Sequence, residues 1–229
     1  MNDDVLSNRL GVDIEPQLLE LALTHRSYAY ENGNIPNNER LEFLGDSVLG
    51  FVVTAHIHDL LTDLPEGELT KVKNAVVSAT ALSQVASPIG LGEFLRLGKG
   101  EDQTGGREKP NLLADAFEAI LGAAYVSKGL DAAEGIIRKL VFPLLEDTDS
   151  LRANSDPKTT LQERTQGESK PAPDYVTTHE GPDHDRTFFS TVSIAGRVVG
   201  LGQGRSKKLA ETNAAIDALA KLPKSKKTK

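Results

Sequence analysis

Residues 38–48 read NERLEFLGDSV, and this stretch decides the fold. Glu39, Glu42 and Asp46 recur at i, i+3 and i+7, which on a helix lays three carboxylates along one stripe. Around them Leu41, Phe43, Leu44, Val48, Leu49, Phe51, Val52 and Val53 leave almost no polar face. Acids in such a helix are poorly explained as solubilising decoration, and buried carboxylates must be paired, protonated or bound to metal. Residues 111–125, NLLADAFEAILGAAY, repeat the arrangement, with Asp115 and Glu118 at i and i+3 in a nearly wholly apolar helix. Two such helices can converge on one site.

The donor chemistry narrows what that site holds. Oxygen ligands with no Cys, and no His at the ligand spacing, select hard cations, Mg²⁺ with Mn²⁺ as a substitute. Metals held this way reverse the local field of an acidic domain, activate water and stabilise the attacking and leaving oxygens of an in-line displacement at a phosphodiester. The competing reading is a set of buried salt bridges, or acids facing solvent at a helix end. One acid pair alone favours that reading. Two pairs in apolar helices, with few Lys or Arg nearby, reverse the balance. A di-iron bundle would need Glu-x-x-His motifs, which neither pair supplies. His56 and His58 fall near the end of their helix as ordinary residues. No nucleophile-elbow pattern supports a Ser/His/Asp triad.

Outward from these two stretches, apolar residues recur at helical spacing from about residue 16 to 145. The expected helices run from Pro16 to about residue 29, from Glu39 (capped by Asn38) to about 61, and from about 67 to 86. Two more run from an Asn111 cap to about 128, and from an Asp131 cap to just before Pro143. The fold class of this half is all-α. Residues 146–155, EDTDSLRANS, read as a linker. Beyond it Asp156-Pro157 opens a short helix, residues 174–179, 187–195 and 197–202 alternate as a half-buried antiparallel sheet, and Ser206 caps a last helix. The organisation is therefore an all-α domain over 1–146, a flexible linker over 147–155, an α-β-β-β-α domain over 156–222 and a basic tail over 223–229.

Composition excludes several classes. The absence of cysteine removes disulfides, thiolate catalysis and Cys-ligated zinc, and suits a cytoplasmic setting. No stretch approaches the roughly 20 apolar residues of a membrane span, and MNDDVLSNRLG is no signal peptide. No pattern calls for a nucleotide or organic cofactor; Gly200, Gly202 and Gly204 miss the phosphate-loop spacings and read as letting the chain turn into the final helix. The net charge of −7 hides a split. Residues 1–150 carry 12 basic against 24 acidic side chains, a net −12, whereas residues 151–229 carry 14 against 9, a net +5. The second domain is thus the candidate polyanion binder.

NERLEFLGDSVLG resembles the signature stretch of bacterial ribonuclease III, a double-stranded-RNA-specific endoribonuclease. LALTHRSYAYE, EGELTKVK and LLADAFEAILGAAY are similar to the same family in order and spacing, and the α-β-β-β-α unit resembles a double-stranded-RNA-binding domain. The resemblance implies metal ligation and catalysis by Glu42, Asp46, Asp115 and Glu118, with Glu39 and Glu66 as secondary acids lining the catalytic valley. It implies a homodimer with one site per subunit, in which Phe43 plugs into the partner; from the residues alone, ordinary core packing of Phe43 competes. It also implies three RNA contacts: Gln162 and Glu163 in one minor groove, His184 of the loop 181–186 in a second, and Lys207 and Lys208 on the phosphates between. The expected activity is two-metal-ion hydrolysis of both strands of structured RNA to 5′-phosphate and 3′-hydroxyl ends. Ribosomal precursor and messenger RNAs are the substrates the family suggests. The alternatives are a non-catalytic RNA binder, which should have lost one of the four acids, and an all-α nucleotide hydrolase, which leaves the second domain without a role.

Overall fold

A computed structural model describes residues 3–147, 156–167, 169–182 and 185–222. The expected basic tail and nearly all of the expected linker lie outside the described residues. The chain divides into two compact units, Met1–Leu151 and Arg152–Lys229.

The first unit is helical. Its elements are α1 (Asp3–Leu10), α2 (Pro16–Ala22), α3 (Arg26–Glu31), α4 (Glu39–Leu60), α5 (Glu66–Val76), α6 (Ala79–Ala86), α7 (Leu91–Phe94), α8 (Lys99–Gln103), α9 (Pro110–Lys128) and α10 (Leu130–Leu140), with two short 3₁₀ turns. α9 is the central element. Phe117, Ile120, Leu121 and a run of alanines on it are fully buried, and each fully buried large side chain contributes about 1.5–3 kcal/mol.

The expected helix from Pro16 stops early. The Arg96 amide donates to the Leu23 carbonyl at 2.9 Å and the His25 amide donates to the Arg96 carbonyl at 3.1 Å, so a short parallel bridge takes the backbone groups that a helix would have used. The expected helix from 67 to 86 is two. Ser78 is extended and its hydroxyl accepts from the Ala81 amide at 3.2 Å, an N-cap that restarts the chain in a new direction. Asn38 precedes α4 as expected but does not cap it; its amide group is buried and donates to the Ala22 carbonyl at 3.2 Å, tying α4 to α2. α9 begins on Pro110, which needs no amide donor there, so Asn111 lies inside the helix rather than before it. α10 begins at Leu130 with Gly129 as its cap, so Asp131 lies in its first turn.

α4 and α9 run antiparallel with their backbones nearly touching. A Cβ on Gly45 would stand 1.8 Å from the Glu118 carbonyl oxygen, and one on Gly122 would stand 2.2 Å from that of Leu41. Only glycine permits this crossing.

The second unit is α11 (Pro157–Gly167), β1 (Asp174–Glu180), β2 (Thr187–Ile194), β3 (Arg197–Gly204) and α12 (Lys207–Lys221). The sheet is antiparallel in the order β1-β2-β3, with Tyr175 opposite Val192 and Val192 opposite Gly200. Leu161, Val192, Ala214, Ala215 and Ala218 form its small core. Asp156 and Ser206 act as the sequence predicts: their side chains accept from the amides of Thr159 at 3.2 Å and Leu209 at 3.1 Å. Gly200 and Gly202 do not serve a turn. A Cβ at either would stand 2.3 or 2.2 Å from a carbonyl oxygen of α12, so they let the helix lie directly on β3. From there α12 closes the sheet's outer edge: Asn213 Nδ2 donates to the Gln203 carbonyl at 2.8 Å and the Leu201 amide donates to Asp217 Oδ2 at 2.8 Å. The β2–β3 turn places Ala195 at φ 52° and Gly196 at φ 76°, a two-residue hairpin with a non-glycine residue in the left-handed region.

Candidate active site

The α4–α9 crossing gathers the acids. Carboxylate oxygens of Glu42, Asp115 and Glu118 lie within 4.8 Å of one another, all three side chains being half-buried. Among the described residues no Lys or Arg forms an ion pair with any of them. Burial pushes Glu118 up to about 8, with further pushes from the charges of Asp46, Asp115 and Glu42. Glu42 is raised by burial and then by Asp115 and Glu39. Asp115 is raised by burial, against the opposing pull of His25 and Arg26. Three oxygen donors that repel one another in a half-dry site fit a small divalent cation.

Asp46 stands apart from this triplet. It is exposed, one turn beyond Glu42, yet its charge is the largest electrostatic push on Glu118, so it borders the same space. Glu39 and Glu66 do not join the triplet. Glu39 is exposed, 3.8 Å from Arg26, and accepts from Asn37 Nδ2 at 3.1 Å. Glu66 opens α5 and accepts from Thr70 Oγ1 at 2.9 Å. Phe43 is 78% exposed and Phe51, two turns on, 64%, so Phe43 is no part of the chain's core.

The sequence reading missed His25 and Glu101. They line a cavity of about 620 Å³ together with Arg26, Tyr30, Asn37 and Glu39. His25 Nδ1 accepts from the Ser27 amide at 3.3 Å, capping α3, which places the neutral ring's proton on Nε2. Burial holds its pKa below the ordinary value, partly offset by Glu101 and Asp115. No spacing signal could have placed it, because the bridge to Arg96 that turns the chain here comes from distant sequence.

In the second unit Gln162 is exposed on α11 and Glu163 is half-buried. His184 lies outside the described residues. Lys207 and Lys208 project from the exposed first turn of α12, where helix amides and the positive end of the dipole also face outward.

Residues 15–145 match the family described as Ribonuclease-III-like. The chain belongs to the ribonuclease III family. Residues 157–222 match the double-stranded RNA binding motif. Ribonuclease 3 of Leifsonia xyli subsp. xyli is 54% identical over 217 residues, covering 95% of this chain and 92% of that protein. Ribonuclease 3 of Streptomyces coelicolor is 52% identical over 214 residues, 93% of this chain and 78% of that protein. Among solved structures, the nuclease domain of ribonuclease III from Campylobacter jejuni superimposes with a TM-score of 0.58 at 36% identity, covering 62% of this chain and 97% of that one; its description refers to a region involved in dimer formation. As a ribonuclease III, the protein is an endoribonuclease acting on double-stranded RNA, built from a mostly helical nuclease domain and an RNA-binding domain. The family is metal-dependent, and the carboxylate triplet is the cluster suited to that need. No helix among the described residues is long and apolar enough to cross a membrane.

Proposed function

We propose that this ribonuclease III hydrolyses phosphodiester bonds in both strands of duplex RNA at a Mg²⁺ site formed by Glu42, Asp115 and Glu118, with Asp46 completing the set. The observation that carries the reading is the triplet itself: three converging carboxylates that, among the described residues, form no direct ion pair with a Lys or Arg, Arg26 acting on Glu42 and Asp115 only at longer range. When bound, Mg²⁺, or Mn²⁺ in its place, supplies Lewis acidity toward the phosphate and an acidified water, and a pair of ions would serve both attacking and leaving oxygens. The protein's own contribution is positional. α4 and α9 hold the acids on rigid backbones, and burial favours the protonated form of Glu118 near neutral pH, a proton that a bound cation would displace. In-line attack by water on the phosphorus leaves a 5′-phosphate and a 3′-hydroxyl.

Exposed Phe43 supports a homodimer, because a phenyl ring left largely in water gains from burial against a second subunit. Each subunit then cuts one strand. Gln162, Glu163 and Lys207 with Lys208 grip the duplex by shape and phosphate, with His184 reaching a second minor groove. Glu39 and Glu66 shape the approach to the site. The expected substrates are ribosomal RNA precursors and structured messenger RNAs in the cytoplasm, without an organic cofactor.

Glu118→Ala tests the reading. Cleavage of a long RNA duplex in Mg²⁺ should vanish while duplex binding is retained. Full cleavage by this variant removes Glu118 from the ligand set, and a wild-type protein that binds duplex RNA but never cuts it in either cation overturns the catalytic reading.

A further inference from the structure

We propose that Glu211 is an affinity-setting residue, an acid placed among the RNA-facing lysines that weakens the grip on duplex RNA and so allows release. The inference rests on the reading of Lys207 and Lys208 as phosphate contacts.

Glu211 lies on the second turn of α12, with a side chain only 13% exposed. Lys158 of α11 donates to its Oε2 at 2.6 Å, Lys207 Nζ stands 3.9 Å from Oε1, and Thr177 Oγ1 on β1 donates to Oε1 at 3.4 Å. One carboxylate thus answers two ammonium groups, one from each of the two helices that face the duplex. The unit has little positive charge to spare, since residues 151–229 carry a net +5. Each lysine held by Glu211 offers less to a phosphate, and the carboxylate itself repels the polyanion. Lys158 does not need Glu211 for its placement, because its ammonium also sits 4.6 Å from the centre of the Tyr175 ring. Removing the charge therefore frees Lys158 without displacing it, and releases Lys207 from the carboxylate 3.9 Å away.

The magnitude follows from counterion release. One additional phosphate contact steepens the dependence of log Kobs on log salt by about 0.9, which at about 0.1 M salt is roughly an 8-fold gain in affinity. Two freed lysines would double the change in slope. Tighter product binding should in turn slow multiple turnover without changing a single turnover.

The experiment uses the full chain and a fluorescent RNA duplex of about 25 base pairs, long enough for one such domain. Anisotropy is read in chelator over a range of KCl concentrations. Glu211→Gln keeps the size and can still accept from Thr177, and Glu211→Ala removes the charge by another route. Both should bind several-fold more tightly with a steeper salt slope, and Glu211→Asp, which keeps the charge, should retain the wild-type slope. Melting curves by circular dichroism establish that each variant is folded; a merely structural role would lower the melting temperature without steepening the slope. Unchanged or weaker binding by folded Gln and Ala variants overturns the inference, as does an Asp variant that behaves like Gln. Lys207→Ala separates the two readings: if it fails to weaken binding, the RNA-facing assignment itself is wrong, whereas if it weakens binding and Glu211→Gln does not tighten it, only the role of Glu211 falls.

Discussion

Replacing Gly45 by Ala should disable the nuclease without touching a single acid. The added methyl would lie 1.8 Å from the Glu118 carbonyl oxygen, and Cβ contacts under 3.0 Å are essentially never seen, so the two backbones must part by at least 1.2 Å. That is a quarter of the 4.8 Å within which the three carboxylates meet. Displacements of about 1 Å in a catalytic constellation cost on the order of 100-fold in rate, and the Ala variant is expected to lose at least that much cleavage. Overpacking costs about 1–3 kcal/mol, against a gain of roughly 1 kcal/mol for Ala over Gly in a helix. The clash is with backbone, which cannot swing aside, so the upper end applies and the melting temperature should fall by several degrees. Gly50→Ala is the control. It lies in the same helix with nothing nearer than the Lys73 side chain at 3.9 Å, so it should cut RNA normally and melt slightly higher. Initial rates on duplex RNA in Mg²⁺, with thermal melts of both variants, make the comparison. A Gly45→Ala protein that melts and cuts like wild type would refute the idea that the glycine contact sets the site.

The raised carboxylates predict an unusual pH dependence. Because burial pushes Glu118 up to about 8 in the fold, well above an ordinary carboxylate, the metal-free folded state holds more protons than the unfolded one between the ordinary carboxylate range and about 8, so its stability falls as pH rises through that window. Urea denaturation in chelator should show this fall, and Glu118→Gln should flatten it. Mg²⁺ or Mn²⁺ binding at pH 7 should release protons, measurable by calorimetry in buffers of different ionisation enthalpy; no release would contradict the assignment. Ala195→Asn should stabilise the RNA-binding unit by about 1 kcal/mol, since asparagine tolerates the left-handed conformation that alanine holds at φ 52°; an unchanged or lower midpoint would argue against strain there. If the proposed homodimer buries Phe43, Phe43→Asp should lower the mass found in sedimentation at micromolar concentration, and a dimer mass unchanged by the substitution would remove Phe43 from the proposed interface.

Periodicity made the helices and strands legible because it reports which face is dry, and the acids stood out because they broke a dry face. What the spacing could not reveal was contact between distant segments. The break after Leu23 exists because Arg96 arrives from elsewhere, and His25 reaches the site for the same reason. Asp46 shares a stripe with Glu42, yet only Glu42 leans into the triplet, since helix spacing fixes a side and not a depth. The glycines misled most. Gly200 and Gly202 looked like turn residues, but alternate glycines on a strand mark a face where another backbone must fit, a signal present in the sequence and assigned the wrong cause. The Ser78 break was readable too, as a serine opening the Ala79–Ala86 helix.

The closed outer edge of β3 bears on how many copies can share one substrate. A bare strand edge recruits other strands, and a long duplex RNA concentrates every protein that binds it. Asn213 and Asp217 occupy the carbonyl of Gln203 and the amide of Leu201, two of the groups such recruitment would need. Neighbouring molecules crowded on one RNA therefore find the β3 edge already engaged by its own helix, which removes that edge as a seam between copies.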